Sequence, residues 1–162
     1  MQNINYKSIG IIHSPFKTLE NIPIQNSGSK GEIGTIEIFP QFAAGLKDLE
    51  GFSHIILLYH LHKVTYSKLI VTPFLDKVEH GIFATRSPIR PNPIGLTVVK
   101  LIEIKNNMIS IENIDMLDKS PLLDIKPCLP MIDDIQNLKL GWLSGKIQNF
   151  ETIKSDDRFL KQ

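Results

Sequence analysis

The residues best suited to chemistry are the twelve from Thr85 to Leu96, where Pro88, Pro91 and Pro93 fall within six positions. Each proline ring fixes its own φ and drives the residue before it (Ser87, Arg90 and Asn92) toward extended backbone. Arg86, Arg90, Asn92 and Ser87 are thereby displayed on a stiff, non-helical segment. A segment ordered in advance lowers the entropy lost when a ligand binds. A guanidinium held this way suits a carboxylate or a phosphate, gripped through two parallel hydrogen bonds. A plain proline-rich connector with solvated arginines is the alternative, and it leaves the paired arginines and the apolar flanks unexplained.

Three further groups carry polar chemistry. Ser53-His54 opens a long apolar run. Asp118-Lys119-Ser120-Pro121 reads as an Asp-initiated turn whose backbone groups can face a ligand, or as an ordinary connection. Asp115 stands just before it. His54, His60 and His62 share one face if residues 52–62 form a regular strand, which leaves a small barrel metalloprotein as a minor alternative. No G-x-G-x-x-G opens a helix, and there is no P-loop, no H-E-x-x-H and no G-x-S-x-G elbow.

The elements that must position these groups read mostly as strands. Ser8 to Ile12, Thr35 to Phe39, Phe52 to His62, Lys68 to Phe74, Gly81 to Thr85 and Leu122 to Ile125 are strand candidates by alternation or β-branched content. Leu96 to Ile104 and Met108 to Ile114 flank Lys105-Asn106-Asn107, whose asparagines tolerate positive φ and mark a hairpin. Leu19 to Gly34 reads as a loop, and Phe42 to Leu49 has the spacing of a short helix stopped at Gly51. Met131 to Gly141 is ambiguous, Trp142 to Phe150 reads as a last strand, and the tail from about 155 is expected to fray. The pattern predicts a mainly β fold: one compact antiparallel β-barrel domain over 1–162 with one or two short helices.

Composition narrows the function classes. With 162 residues and 42% hydrophobic content, the chain can build one proper core. Lys+Arg 18 against Asp+Glu 17 excludes a strongly basic nucleic-acid coat but permits a local basic patch. The lone Cys128 excludes an internal disulfide framework and argues against structural zinc. The N-terminus lacks a signal-peptide pattern, and the longest apolar run, Ile55 to Tyr59, is far too short for a membrane span. These features predict a cytoplasmic protein with no membrane partner and no metal.

Four segments together resemble the TsaA-like (TrmO) family, in family order. They are Ile9 to Phe16, Leu49 to His54, Gly81 to Gly95 and Asp118 to Pro127. The resemblance implies a β-barrel methyltransferase that binds S-adenosylmethionine without a Rossmann fold. It implies methylation of N6 of threonylcarbamoyladenosine at position 37 of tRNA, by a homodimer with the cofactor near the subunit interface. By position, the cofactor residues are Ser14, Pro15, Phe16, Ser53, His54, Arg86, Leu96, Lys119, Ser120, Pro121 and Leu122. Three departures stand out: His13 where an arginine is often found, Lys119 in place of a usual glycine, and Cys128 in place of a usual tyrosine.

Under that reading Phe16 packs on adenine, and Arg86 first or Arg90 second holds a carboxylate or an RNA phosphate. Arg86, Arg90 and Asn92, with Lys63 and Lys68, are the RNA-facing candidates. The acceptor nitrogen belongs to a urea-like group and needs a base, for which His54 and Asp115 are the candidates. The rival reading is a module that binds S-adenosylmethionine without methylating RNA.

Overall fold

Runs rich in β-branched and other apolar side chains build eight strands in the computed structural model, which describes residues 3–20, 22, 23, 29 and 31–128. They are β1 (Gly10–His13), β2 (Ile33–Ile38), β3 (His54–His60), β4 (Ile70–Val71), β5 (His80–Gly81), β6 (Ile94–Lys105), β7 (Met108–Glu112) and β8 (Ser120–Pro127). Six of them close into an antiparallel barrel in the order β1-β2-β7-β6-β3-β8, while β4 and β5 form a separate ribbon. Closure leaves no unpaired edge in the barrel. Ile12, Ile36, Ile55, Leu57, Val99, Ile109, Ile111 and Leu122 point inward and are fully buried. β-Branched side chains suit this pleated interior because their χ1 freedom is already restricted. The expected mainly β barrel is the fold.

Because neighbouring strands run antiparallel, their connections alternate between the two barrel ends. The connections 14–32, 61–93 and 113–119 all leave from one end, the mouth. The connection 39–53 and the 106–107 turn lie at the other end. The proline segment is therefore the last part of a mouth connection. That connection also carries the β4–β5 ribbon and a small cluster of Val71, Ile82 and Ile89.

The expected β6–β7 hairpin is present, with Asn106 at φ 56 in its turn. Asn107 pins that turn to β2: its Nδ2 donates to the Ile38 carbonyl at 2.8 Å, and its own carbonyl accepts from Ile38 N–H at 2.8 Å.

Other expectations are corrected. The short helix expected over Phe42 to Leu49 is present but is 3-10 and broken, running Pro40–Leu46 and then Leu49–Gly51 with Asp48 at φ 66 between them. Leu46 is buried there, and Phe42 and Leu49 pack half-buried against the core. Gly81 to Thr85 is not a strand throughout: after β5 the chain folds into a 3-10 turn, Ile82–Ala84, closed by Thr85 Oγ1 donating to the Ile82 carbonyl at 2.9 Å. Lys68 to Phe74 shrinks to the two residues of β4, with Pro73 unable to donate to a ladder. His62 lies past the end of β3, so it leaves the face it was expected to share with His54 and His60. The ambiguous stretch, the expected strand from Trp142 and the tail lie outside the described residues.

Gly95 is required by packing. A Cβ built there would overlap the ring of Tyr59, its cross-strand partner. Tyr59 is buried, so its ring must shift within the core to make room. Gly95→Ala is expected to destabilise the fold by about 1–3 kcal/mol, read from urea unfolding.

Candidate functional site at the barrel mouth

The mouth is laced together by Ser14 and Asp118, residues 104 apart in sequence. Ser14 N–H donates to Asp118 Oδ1 at 2.9 Å, while Ser14 Oγ donates to the Met116 carbonyl at 2.6 Å and accepts from Phe16 N–H at 3.0 Å. Asp118 N–H returns to the Phe16 carbonyl at 2.8 Å, and Lys17 Nζ sits 2.8 Å from Asp118 Oδ2. Burial works against the Asp118 charge, but the bonds from Lys17 and from Ser14 N–H outweigh it and hold its pKa below the ordinary carboxylate value. Ser14, Pro15 and Phe16 are thus fixed against the turn that leads into β8.

That turn contains Lys119 at φ 62, a left-handed conformation that disfavours a side chain. Beyond it, Ser120 Oγ is buried and donates to the Leu117 carbonyl at 2.7 Å, and His62 Nδ1 lies 3.5 Å away. Burial, then the charges of Lys63 and His60, lower the His62 pKa against the pull of Asp118, so the ring is neutral near pH 7. Lys119→Gly removes the Cβ strain at some cost in chain entropy. The expected net gain is about 0.5–1 kcal/mol, read as a rise in Tm.

Asp115 is the most unusual group at the mouth. Thr97 Oγ1 donates to its Oδ2 at 3.3 Å, whereas its Oδ1 is buried without a hydrogen-bond partner among the described residues. Burial pushes its pKa up to about 6, against the smaller opposing effects of the Thr97 bond and the Arg86 charge. Burial, helped by the Asp115 charge, holds the Tyr59 phenol well above its ordinary value, so it stays protonated. A carboxyl titrating near neutrality with an oxygen that has no hydrogen-bond partner can take up a proton.

Arg86 is exposed at the mouth and close enough to Asp115 to act on its charge. Arg90 is occupied differently, its Nη1 donating to backbone carbonyls of its own segment. Asn92 is exposed, and its carbonyl accepts from Ile94 N–H at 2.8 Å, just before β6 begins.

Not every expected residue is at the mouth. Ser53 and His54 open β3 at the opposite barrel end, six positions from His60, which is about 20 Å along a strand. There they touch each other, Ser53 Oγ to His54 Nδ1 at 3.0 Å. Leu96 lies on the outer wall opposite Leu58 and is 58% exposed. Lys68 is spread over the Tyr66 ring at 5.9 Å, and Lys63 is exposed. Among the described residues no group of three His, Cys, Asp or Glu could hold a metal ion, so the three-histidine alternative fails there. No helix among them is long and apolar enough to cross a membrane.

Comparison with known proteins places this mouth in context. Residues 11–134 match the tRNA-methyltransferase O N-terminal domain. The chain belongs to this family. A probable S-adenosyl-L-methionine-binding protein of Pyrococcus abyssi is 51% identical over 156 residues, covering 96% of this chain and 85% of that protein. The tRNA (adenine(37)-N6)-methyltransferase of Escherichia coli K12 is 32% identical over 152 residues, covering 88% of this chain and 65% of that enzyme. The crystal structure of TrmO from Pseudomonas aeruginosa superposes with a TM-score of 0.72 at 33% identity, covering 87% of this chain and 63% of that one. The chain therefore spans a little under two thirds of these two longer relatives.

Lys17, Thr97 and Tyr59, all at the mouth, were not singled out by sequence reasoning. Thr97 sits at an inward position of β6 among apolar residues, and Tyr59 closes the apolar run of β3. A lone hydroxyl on an inward strand position was the available signal, since such a group needs a polar partner.

Proposed function

We propose that this chain is the S-adenosyl-L-methionine-dependent methyltransferase that methylates N6 of threonylcarbamoyladenosine at position 37 of tRNA. The observation that carries the reading is Asp115: a buried oxygen without a partner, on a carboxyl titrating at about 6, at the mouth of a tRNA-methyltransferase O domain. When bound, S-adenosyl-L-methionine supplies the methyl group, its S–C bond breaking as the C–N bond to the acceptor forms.

The chain's own residues bind, orient and move the proton. Ser14, Pro15 and Phe16, with the turn from Lys119 to Leu122, form the surface for the adenosine half, Phe16 offering an aromatic face and the turn its backbone groups. Arg86 offers a guanidinium to the amino-acid carboxylate or to an RNA phosphate. Asp115 accepts the N6 proton through Oδ1, so the urea-like nitrogen need not carry a positive charge as the new bond forms. Holding donor and acceptor in line is worth on the order of several kcal/mol. Of the two base candidates Asp115 is favoured, because His54 stands at the far end of β3.

That distance also bears on assembly. Ser53 and His54 join a mouth site only if a second copy of the chain supplies them, as a homodimer with the cofactor near its interface would. Ile94 and Leu96 are exposed on the outer wall, with Ile56 and Leu58 beside them, and a second copy would cover them. Mixing His54→Ala with Arg86→Ala protein then restores some activity that neither has alone.

A module that binds S-adenosyl-L-methionine without transferring its methyl group is the second reading. It is favoured by the near end-to-end match to the Pyrococcus protein, whose name speaks only of binding. Calorimetry with S-adenosyl-L-methionine, then nucleoside mass spectrometry of tRNA from a strain lacking this protein, decides between them. Methylated threonylcarbamoyladenosine supports the enzyme; tight binding with no product on any tRNA supports the module.

A further inference from the structure

Arg90 is bound into its own segment. Its Nη1 donates to the carbonyls of Ile82 at 3.3 Å, Thr85 at 2.9 Å and Ser87 at 3.4 Å, and its Cζ lies 6.0 Å from the centre of the Phe83 ring. Thr85 and Ser87 are the two neighbours of Arg86. With both flanking carbonyls drawn to one nitrogen, the backbone at Arg86 cannot turn without breaking a charge-assisted hydrogen bond. Thr85 Oγ1 tightens the same bracket, donating to the Ile82 carbonyl at 2.9 Å and accepting from Ser87 N–H at 3.2 Å. Pro88 closes it by restricting Ser87 to extended backbone. Arg86 itself is exposed, and no hydrogen bond to a described residue holds its side chain, so its direction depends on its backbone and on the pull of Asp115.

We propose that Arg90 is a positioning residue: by holding the carbonyls on both sides of Arg86, it keeps the Arg86 guanidinium at the barrel mouth beside Asp115. The consequence for catalysis rests on Asp115 being the proton acceptor; the bracket itself does not. Among the described residues, the groups that act on Asp115 are Thr97 from β6, Tyr59 from β3 and Arg86 from the proline segment, and of these only Arg86 carries a charge near neutral pH. The state of Asp115 therefore reports where Arg86 is.

The test is the titration of Asp115 in the ligand-free protein, followed by carbon NMR of aspartate-labelled chain, with its signal assigned from Asp115→Asn. Arg86→Met is expected to raise the midpoint by at least about half a pH unit, and Arg90→Met by a comparable amount. The double variant should shift no further than the larger single change, because Arg90 acts through Arg86. Additive shifts would mean that Arg90 acts by its own charge, and would overturn the proposal. So would an Arg90→Met protein that titrates like the wild type, or an Arg86→Met protein that does. Should Arg90→Met fail to fold, Arg90→Lys serves in the same cycle. It keeps the charge on a shorter stem and is expected to show a smaller shift in the same direction. Failure of Asp115 as the acceptor would appear instead as an undiminished transfer rate in Asp115→Asn, so the two failures are distinguishable.

Discussion

Asp115→Asn is expected to lower the rate of methyl transfer by about 10²- to 10⁴-fold while leaving S-adenosyl-L-methionine affinity within a few-fold of wild type. The amide keeps an oxygen for the Thr97 hydroxyl but cannot take up a proton. The same change should stabilise the protein at pH 7. The folded-state pKa of Asp115 is raised to about 6, above its unfolded value, so the folded protein binds the extra proton in between. Its favourable protonated state is complete below about pH 4 and is lost as pH rises toward 6, a decline of up to about 3 kcal/mol. Wild-type stability measured by urea unfolding at pH 4.5 and 7 should reveal that decline, and Asp115→Asn should remove it. The transfer rate of the wild type should climb with an apparent pKa near 6. An Asn variant that transfers methyl groups at the wild-type rate would end the case for Asp115.

Asp118→Ala should have the second largest effect, with the opposite dependence on pH. Its carboxylate holds Ser14 N–H at 2.9 Å and Lys17 at 2.8 Å. Truncation leaves the Ser14 donor without a partner at a mostly buried position, at a cost of about 1.5–3 kcal/mol. Because its folded pKa lies below the unfolded value, the stabilisation from Asp118 is present above the unfolded pKa and fades as the solution is acidified. Asp118→Ala should therefore differ most from wild type near neutrality and converge with it in acid. Since the Ser14 loop is fixed by this residue, cofactor affinity should fall at least about tenfold by calorimetry. An unchanged Kd would separate the Ser14 loop from the cofactor surface.

Much of the architecture was legible because strands with one inward face betray themselves. In β7 the inward Ile109 and Ile111 alternate with outward residues, and β3 shows itself as an unbroken apolar run whose burial alternates in the fold. The Asn106-Asn107 turn was readable for a local reason: few residues accept a positive φ. The 3-10 form of the short helix was not, since the apolar spacing of residues 42–49 does not tell one kind of helix from another. At the site, the sequence singled out Asp115, Arg86, Ser14 and the turn before β8, which one chain gathers at the mouth, together with Ser53 and His54, which it holds at the other end. Order along a chain does not say at which barrel end a connection emerges; only the antiparallel pairing does. Arg90 shows a related limit. An arginine in a proline-rich stretch looks like a hand extended to a ligand, and only the fold shows that its Nη1 is already given to its own backbone carbonyls.

The seam between β1 and β8 joins three registered pairs, Gly10 with Leu122, Ile11 with Pro121 and Ile12 with Ser120, and one of the six residues is a proline that cannot donate. It is the shortest join in the ring, so thermal unzipping of the cylinder should begin there. Ser14 and Ser120 stand on its two lips, and any molecule gripped by both acts as a clasp across the weakest stave. Occupancy and closure are then one equilibrium: the sheet must finish its circle before the clasp has anything to hold, and the clasp in turn keeps the circle shut.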